Sequence, residues 1–423
     1  MIRHLGGLWG PPLLIAVVLA GCGSPPEEPR RGGGATKVVL LGLDGASWNI
    51  MRPMLERGAL PNLAAAIERG VSGSMASEHP CLSIVLWTSV VTGKTPEEHG
   101  IRDWSYIDPE TGEKGLMDST RRRVPALWNI ANAARLDAGF ANWWATWPAE
   151  SVDGFIVSEQ FVRLKPGENL EQGTFPEELS AELQSVVRRG RWPWLTEQIT
   201  SGRLNVLSDR GENGVGQDLD ARIEQAMFLY GQDFRGEQGL FHLLQERPHP
   251  AVLGYLSRKI DVASHYMWEF GADEKPDDDA LSVLLEPLYR YEDALLGRLI
   301  ETVGPDANIV ILSDHGFGWE TDGFGHEETA PPGIFIATGP AFRSGIELDE
   351  VRLYDVLPTV LHVLGLPVAS DMAGAVVDDA IAAPGDVAFV ESYDFLHASR
   401  SRAGISPMQE RILKELEALG YVP

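Results

Sequence analysis

Residues 37–45 read K-V-V-L-L-G-L-D-G, a continuous apolar run that ends at an aspartate and a glycine. A short run of this kind, rich in Val and Leu and without alternation, is typical of a strand that is covered on both faces in a parallel sheet. Residues 53–69 follow with the apolar spacing of a helix. This region therefore has the strand-then-helix order of an α/β protein.

The same order of strand-like and helix-like segments recurs along the chain. Strands separated by helices predict an α/β sandwich in which a largely parallel central sheet lies between helices. The further predicted strands are residues 139–145, 252–260, 308–312 and 333–337, and the further predicted helices are residues 124–136, 279–303 and 353–364.

Two segments depart from this order. Between about residues 149 and 250 the sequence loses its apolar runs and becomes polar and helical, which predicts an inserted region that caps the sheet. Residues 386–423 form a tail with an amphipathic helix at 407–419. The main domain is therefore predicted to span residues 37–385.

The composition argues against some classes of protein. The 423 residues include 35 Lys and Arg and 61 Asp and Glu, so the formal net charge is −26. A chain this acidic is not expected to bind nucleic acids generally. Apolar residues make up 44% and charged residues 23%, which is the balance of a chain with a buried core. The two cysteines, Cys22 and Cys81, do not predict a disulfide framework.

The N-terminal segment has the pattern of a bacterial lipoprotein signal. An apolar run at residues 13–20 is too short to span a bilayer, and small residues precede Cys22. Residues 1–21 are therefore predicted to be removed and Cys22 to be lipidated, with residues 22–36 as a Gly- and Pro-rich flexible tether. The alternative is an ordinary cleaved signal with an incidental Cys22. Both interpretations predict export, and the first predicts a membrane-anchored protein that faces the periplasm or the cell surface.

Aspartates and histidines stand at or near the ends of several predicted strands. Functional groups in open α/β sheets gather outside the carboxyl ends of the strands, so these side chains are expected at one edge of the sheet. Three carboxylates and three imidazoles are a suitable ligand set for two divalent cations such as zinc, manganese or iron. The six residues are Asp44, Asp261, His265, Asp314, His315 and His326.

Some of these residues also have simpler explanations. Asp44 could serve only as a turn residue. Asp261 and His265 could form a solvated pair on one helix face. Asp314 is harder to explain in this way, because a charge left unpaired at the end of a buried strand is costly.

Ser83 lies in the sequence H-P-C-L-S-I-V-L-W-T-S at residues 79–89. Pro80 stops any preceding helix, so the next helix is predicted to begin at Ser83. One interpretation is a serine that only caps this helix. The other is a nucleophile, since backbone N–H groups at a helix start attract phosphate and a nearby dication lowers the pKa of a hydroxyl. The two interpretations are compatible.

Together these motifs resemble the type I phosphodiesterase/nucleotide pyrophosphatase family of the alkaline phosphatase superfamily. The resemblance extends from about residue 37 to 375, and it implies an alkaline-phosphatase-like sandwich that binds two divalent metal ions, with zinc preferred. The matching motifs are V-V-L-L-G-L-D-G at 38–45, L-S-x-x-x-W-T-S-x-x-T-G-K at 82–94, D-x-x-x-H at 261–265 and S-D-H-G-F-G at 313–318.

The resemblance also implies roles for individual residues. Ser83 matches the nucleophile, which would form a phosphoserine intermediate that water then hydrolyses. One metal would be surrounded by Asp44, Ser83, Asp314 and His315, and the other by Asp261, His265 and His326. The chain would thus be a two-metal phosphodiesterase. Two rival hypotheses are a phosphotransferase that passes the phosphoryl group to a glycan or lipid hydroxyl, and a non-catalytic surface lipoprotein.

Departures from related patterns bear on the substrate. Leu86 stands where the nucleotide pyrophosphatases have an asparagine that helps to bind phosphate, so nucleotide specificity does not follow from the resemblance. Cys81 is followed by L-S-I-V and not by the x-P-x-R of a sulfatase.

Substrate contacts are predicted from the helix spacing. Leu86 and Trp87 would share a helix face with Ser83 and could flank the phosphorus. Lys94 would lie about 16 Å along the helix axis, too far to bind phosphate. A site with little positive charge of its own predicts a preference for diesters, unless a cation such as Arg102, Lys165 or another from the inserted region folds over it.

The stretch A-N-W-W-A-T-W-P at residues 141–148 has two possible uses. Trp143, Trp144 and Trp147 could form a stacking wall for a sugar or a base, or they could pack in the core.

Overall fold

A nine-stranded sheet forms the centre of the structure, a computed structural model that describes residues 37–165, 167–187, 197, 215–268, 285–317, 330–383, 385–396 and 406–419. Two further pairs of short strands, β3–β4 and β12–β13, lie outside this sheet. In chain order the strands are β1 (Val38–Leu43), β2 (Gly70–Ala76), β3 (Ser105–Ile107), β4 (Lys114–Leu116), β5 (Ala138–Ala141), β6 (Gly154–Val157), β7 (Thr174–Phe175), β8 (Val252–Ser257), β9 (Asn308–Leu312), β10 (Gly333–Thr338), β11 (Ile346–Arg352), β12 (Val368–Ala369) and β13 (Phe389–Val390).

Helices follow most of the central strands. In chain order they are α1 (Trp48–Glu56), α2 (Pro61–Arg69), α3 (Ser83–Thr92), α4 (Pro96–His99), α5 (Leu127–Ala133), α6 (Leu179–Val187), α7 (Val215–Glu246), α8 (Lys259–Trp268), α9 (Glu286–Val303), α10 (Val356–Val363) and α11 (Gln409–Ala418). None of the helices in the described part of the chain is both long enough and apolar enough to cross a membrane.

The middle of the central sheet is parallel. The strand order is β11-β2-β10-β9-β1-β8-β5-β6-β7. The five strands from β9 to β6 run parallel to one another, whereas β10 is antiparallel to both of its neighbours and β7 is antiparallel to β6. The predicted α/β fold, with a largely parallel central sheet between helices, is confirmed.

Helix α3 packs closely against strand β1, whose six residues are all buried. At Gly42 a Cβ atom would lie 2.7 Å from the indole of Trp87 and 2.6 Å from Leu256. Only glycine leaves room for a large aromatic ring at this point of the strand. The glycine in the V-V-L-L-G-L motif therefore sets how near α3 lies to the end of β1.

Several predicted elements end earlier than their patterns suggest. The predicted helix at 53–69 is two helices, because Gly58 adopts a φ of 71° and Pro61 starts the second one. The predicted strand at 139–145 stops at Ala141, after which Asn142 adopts a φ of 58°. The predicted strand at 252–260 ends at Ser257, and α8 begins two residues later.

The predicted inserted region contributes to the sheet as well as to helices. Residues 149–250 contain α6 and α7, but also β6 and β7, which extend the central sheet at one edge. The tail helix predicted at 407–419 is observed as α11. The predicted signal and tether, residues 1–36, lie outside the described residues.

Candidate active site

Three carboxylates lie at the carboxyl ends of neighbouring strands. Asp44 follows β1 directly, Asp314 follows β9 by two residues, and Asp261 is in the first turn of α8, after β8. Strand β1 lies between β8 and β9 and is parallel to both. The ends of the three strands therefore bring the three side chains to one edge of the sheet. The sequence predicted that Asp261 follows a strand ending at residue 260. In the structure this strand ends at Ser257, and Asp261 belongs to the helix that follows.

The backbone holds Asp44 and Asp261 together. The Asp261 N–H donates to the Asp44 carbonyl oxygen at 3.0 Å. Gly45, at a φ of 73°, permits this approach, because a Cβ there would lie 2.9 Å from the Asp261 Cα. Gly45 is thus required by the close contact between the end of β1 and the first turn of α8.

His315 lies among all three carboxylates and has no exposed surface. Its Nε2 is 3.6 Å from Asp44 Oδ1, 3.6 Å from Asp314 Oδ2 and 3.9 Å from Asp261 Oδ1. The possible ligand atoms of Asp44, Asp314 and His315 all lie within 4.8 Å of one another. These residues therefore form a compact group of buried oxygen and nitrogen donors.

His265 extends this group on the α8 side. Its Nε2 lies 3.5 Å from Asp261 Oδ1, one helical turn away. The Phe317 ring makes edge contacts with the imidazoles of His265 and His315, at centroid distances of 5.4 and 5.6 Å. Phe317 thus packs against both histidines. His326, the sixth predicted ligand, lies outside the described residues.

Burial and the charges of neighbouring carboxylates raise the pKa values of Asp44 and Asp314. Burial, together with the charges of Asp314 and Asp261, holds the pKa of Asp44 well above its usual range. Burial and the charge of Asp261 raise the pKa of Asp314 to about 8. Ionised carboxylates crowded in this way need a compensating cation. The oxygen and nitrogen donors fit a divalent cation such as zinc.

Ser83 is the first residue of α3, and its side chain points to Asp44. The residue at the N-cap position is Leu82, and no side-chain capping bond is found there. Instead, Ser83 Oγ donates to Asp44 Oδ1 at 3.3 Å. Ser83 is also buried, with 1% of its surface exposed. The capping interpretation therefore does not describe this serine, which belongs to the carboxylate and histidine group.

The side chains of Leu86 and Trp87 lie in the core, with 1% and 0% exposed surface, and neither lines the pocket beside Ser83. That they flank the substrate stays a prediction. Trp87 Nε1 donates to Asp44 Oδ2 at 3.0 Å, so this indole orients the carboxylate. Trp143 packs edge-on against Trp87, with ring centroids 5.3 Å apart, and is a core residue. Trp144 differs from both, since it lines a pocket beside Ser83.

Sequence reasoning missed two arginines in this pocket. Arg163 lies in a 3₁₀ turn of the inserted region, and Arg258 directly follows β8. The pocket also includes residues of α7 and α11, elements far apart in the chain. Its lining is Asp44, Ser83, Trp144, Arg163, Leu229, Gln232, Asp233, Arg258, Asp261, Val262, Glu415, Leu416 and Leu419.

The other cations considered from the sequence do not line this pocket. Lys94 pairs with Asp371, its Nζ lying 2.7 Å from Oδ2. Arg102 and Lys165 are exposed.

His99 is a structural residue. It is buried, its Nδ1 accepts from the Ile101 N–H at 3.1 Å, and its Nε2 lies 3.1 Å from Ser89 Oγ.

Comparisons with known proteins find relatives of similar sequence and structures of similar fold. An uncharacterized pyrophosphatase/phosphodiesterase of Schizosaccharomyces pombe is 22% identical over 368 residues, which are 82% of this chain and 61% of the relative. The chain thus spans about three fifths of that relative's length. Two structures of murine ectonucleotide pyrophosphatase/phosphodiesterase 5 share the fold. One is an inactive variant in complex with AMP, with a TM-score of 0.51 and 13% identity, and the other has a TM-score of 0.50 and 12% identity. Each match covers 82% of this chain and 100% of the murine chain.

The sequence model of the type I phosphodiesterase/nucleotide pyrophosphatase family matches residues 38–328. This range includes β1, the start of α3, α8 and the end of β9, and therefore every residue of the candidate active site named from the sequence. The family that the sequence motifs predict is confirmed. The chain belongs to the type I phosphodiesterase/nucleotide pyrophosphatase family.

Proposed function

We propose that the chain is a two-metal phosphodiesterase in which Ser83 forms a phosphoserine intermediate. The hydrogen bond from Ser83 Oγ to Asp44 Oδ1, at 3.3 Å, carries this proposal. A serine that only caps a helix directs its oxygen to an N–H group of that helix. Here the Ser83 hydroxyl donates to Asp44, which belongs to the buried group of candidate metal ligands.

The chemistry of the donor groups supports two divalent cations, with zinc preferred over manganese or iron. Such ions supply positive charge that lowers the pKa of a nearby hydroxyl and stabilises the attacking and the leaving oxygen. Asp44, Asp314 and His315, with Ser83, would hold one of them. Asp261, His265 and His326 would hold the other.

The side chains around Ser83 have distinct roles in the reaction. Asp44 fixes the Ser83 hydroxyl, and Trp87 fixes the second oxygen of Asp44. The N-terminal end of α3 directs the positive end of the helix dipole toward the incoming phosphate. As the bond from Ser83 Oγ to phosphorus forms, a P–O ester bond breaks and an alcohol leaves. Water then cleaves the bond to Ser83, which regains its proton, and a phosphomonoester is released.

A diester is the favoured substrate because the pocket's own charges are compensated. Arg163 pairs with Glu415 and Arg258 pairs with Asp233. A monoester dianion needs several donors or cations for its free oxygens, whereas a diester carries a single charge. AMP, which is bound by the murine protein of the same fold, shows that a phosphoester can be a ligand of this fold. Nucleotide specificity is not part of the proposal, since Leu86 replaces the expected asparagine.

With zinc restored, an aryl phosphodiester is expected to exceed the matching aryl monoester in kcat/KM by at least about tenfold, roughly 1.4 kcal/mol of transition-state discrimination. The two rates are measured on the same metal-loaded preparation by release of the aryl alcohol. A preference for the monoester would contradict the proposal. It would mean that Arg163 or Arg258 contacts the phosphoryl oxygens themselves when substrate binds.

A phosphotransferase is the second candidate, supported by the position of Trp144 in the pocket. An indole beside the nucleophile could stack on a glycan acceptor or pack against a lipid one. The phosphoryl group on Ser83 would then pass to an alcohol in place of water, and Ser83 would regain its proton. Product analysis with an added alcohol separates the two activities, because transfer gives a new diester and hydrolysis gives only the monoester.

We also propose that lipid on Cys22 anchors the exported protein to a membrane. Replacing Cys22 by Ser should block lipidation and move the protein to the unanchored fraction, since acyl chains are the only membrane-seeking element that the sequence predicts. Cell fractionation with an antibody against the folded domain reports the change. Equal membrane association of the wild type and the variant would locate the anchor elsewhere.

A further inference from the structure

The pocket beside Ser83 contains more than the carboxylate and histidine group. Ser83 and Asp44 belong to the same pocket as two arginines and part of α11. Glu415, Leu416 and Leu419 reach the pocket from the tail. Any substrate that reaches Ser83 therefore meets these cationic and tail residues as well.

The two arginines are held in different ways. Arg258 is fixed by neighbouring parts of the main fold: its Nε donates to Asp233 Oδ1 at 2.8 Å, and its own backbone N–H donates to Asp233 Oδ2 at 2.5 Å. Asp233 also accepts from Asn142 Nδ2 at 3.0 Å. Arg163 has its carboxylate partner on α11, where its Nε donates to Glu415 Oε2 at 2.9 Å. Arg258 is thus part of a fixed network, and Arg163 has a partner that a movement of α11 would remove.

Arg163 needs an anion where Glu415 now lies. Its side chain is 3% exposed, and both its guanidinium and that of Arg258 contact the ring of Trp144, at 5.2 and 5.0 Å from the centroid. Burial and the nearby Arg258 charge lower the pKa of Arg163, whereas Glu415 and, to a smaller extent, Glu159 act in the opposite direction. A buried guanidinium next to a second one is costly without a paired anion.

Glu415 differs from the other acidic residues of its helix. Glu410 and Glu417 are exposed, and Glu410 pairs with Lys414 in solvent. Glu415 is instead buried in the pocket, where Oε1 also accepts from Gln232 Nε2 at 2.7 Å. A carboxylate held in this way occupies the position that an anionic group of a ligand would take.

We propose that Arg163 binds a second anionic group of the substrate, and that Glu415 occupies that position in the substrate-free protein. Binding then exchanges one guanidinium–carboxylate pair for another while the phosphodiester lies at Ser83. The preferred substrate is a phosphodiester whose retained arm carries a carboxylate or a phosphate. This inference rests on the proposed phosphodiesterase activity.

Two matched diesters test the proposal, p-nitrophenyl 2-carboxyethyl phosphate and its neutral 2-carbamoylethyl analogue. Glu415→Gln removes the competing charge and keeps the size of the side chain. It is expected to lower the ratio of KM for the carboxylate diester to KM for the amide by about tenfold. Glu410→Gln removes the same charge from the exposed face of α11 and should change neither KM.

A second variant identifies the cation. Arg163→Gln should abolish the preference for the carboxylate diester in the Glu415→Gln background. The proposal would be overturned if Glu415→Gln lowered KM for both diesters equally, since that result describes a helix that blocks access without competing for charge. Equal effects of Glu415→Gln and Glu410→Gln would also overturn it.

Calorimetry in a Ser83→Ala background separates this inference from the proposed activity. Without turnover, Glu415→Gln should still tighten binding of the carboxylate diester by about tenfold relative to the amide. If the wild type cleaves neither diester but this binding difference is found, the proposed activity fails and the Arg163 site stands. If both diesters are cleaved and the binding difference is missing, the Arg163 site fails.

Discussion

Replacing Ser83 by Ala is expected to lower kcat/KM for an aryl phosphodiester by at least about a thousandfold, because a nucleophile has no substitute within the site. The fold should be retained. Leu82, not Ser83, is the N-cap of α3, so the substitution removes a single hydrogen bond to Asp44. The loss of one such bond costs about 1 kcal/mol of unfolding free energy. Steady-state kinetics, thermal melting and elemental analysis on the same preparations check these expectations.

Ser89→Ala is the matched control for this variant. Ser89 lies in the same helix and is equally buried, but its hydroxyl donates to the Val85 carbonyl at 3.2 Å and lies 3.1 Å from His99 Nε2. Its replacement should leave turnover within a few-fold of the wild type. Near-normal turnover by a folded, metal-loaded Ser83→Ala protein would show that Ser83 is not the nucleophile.

Asp314→Asn should have the second largest effect. The wild type is expected to bind two divalent ions, and this variant should lose mainly the ion held with Asp44 and His315. Activity should fall at least about a hundredfold, since that ion is next to Ser83. Without metal, the same substitution should raise the melting temperature above that of the metal-free wild type, because it removes one of three crowded buried acids.

Elemental analysis and melting curves with and without chelator test this prediction. Asp261→Asn should empty mainly the other site, which it shares with His265 and His326. Asp371→Asn is the control, since Asp371 pairs with Lys94 away from the pocket, and it should retain both ions. Fewer than two ions in the reconstituted wild type would contradict the two-metal assignment, and none would favour a non-catalytic lipoprotein.

The parallel strands at the centre of the fold could be predicted because strands buried on both faces have a recognisable apolar pattern in the sequence. Strands β1 and β9 read as continuous apolar runs, since both of their faces are covered. Strand β2, G-V-S-G-S-M-A, could not be found in this way because its small and polar residues give no apolar run. Strand β11 is largely exposed and charged, so its place at the sheet edge depends on its pairing with β2.

Candidate metal ligands could be predicted because each follows a strand of the parallel sheet and the carboxyl ends of such strands share one edge. Residues that reach the site from other parts of the chain could not. Arg163 comes from a segment without periodicity, and Glu415 comes from a helix whose pattern indicates only one buried face. The sequence predicts the helix that carries Trp87, but the hydrogen bond from Trp87 to Asp44 depends on the space that Gly42 leaves beside β1.

The stereochemical course at phosphorus distinguishes a Ser83 intermediate from direct attack by water. The substrate is an aryl phosphorothioate diester of known configuration, cleaved by the metal-loaded wild type in ¹⁸O-labelled water. Two successive in-line displacements, first by Ser83 and then by water, predict net retention of configuration. Net inversion would show that water attacks the substrate directly and that no Ser83 intermediate forms.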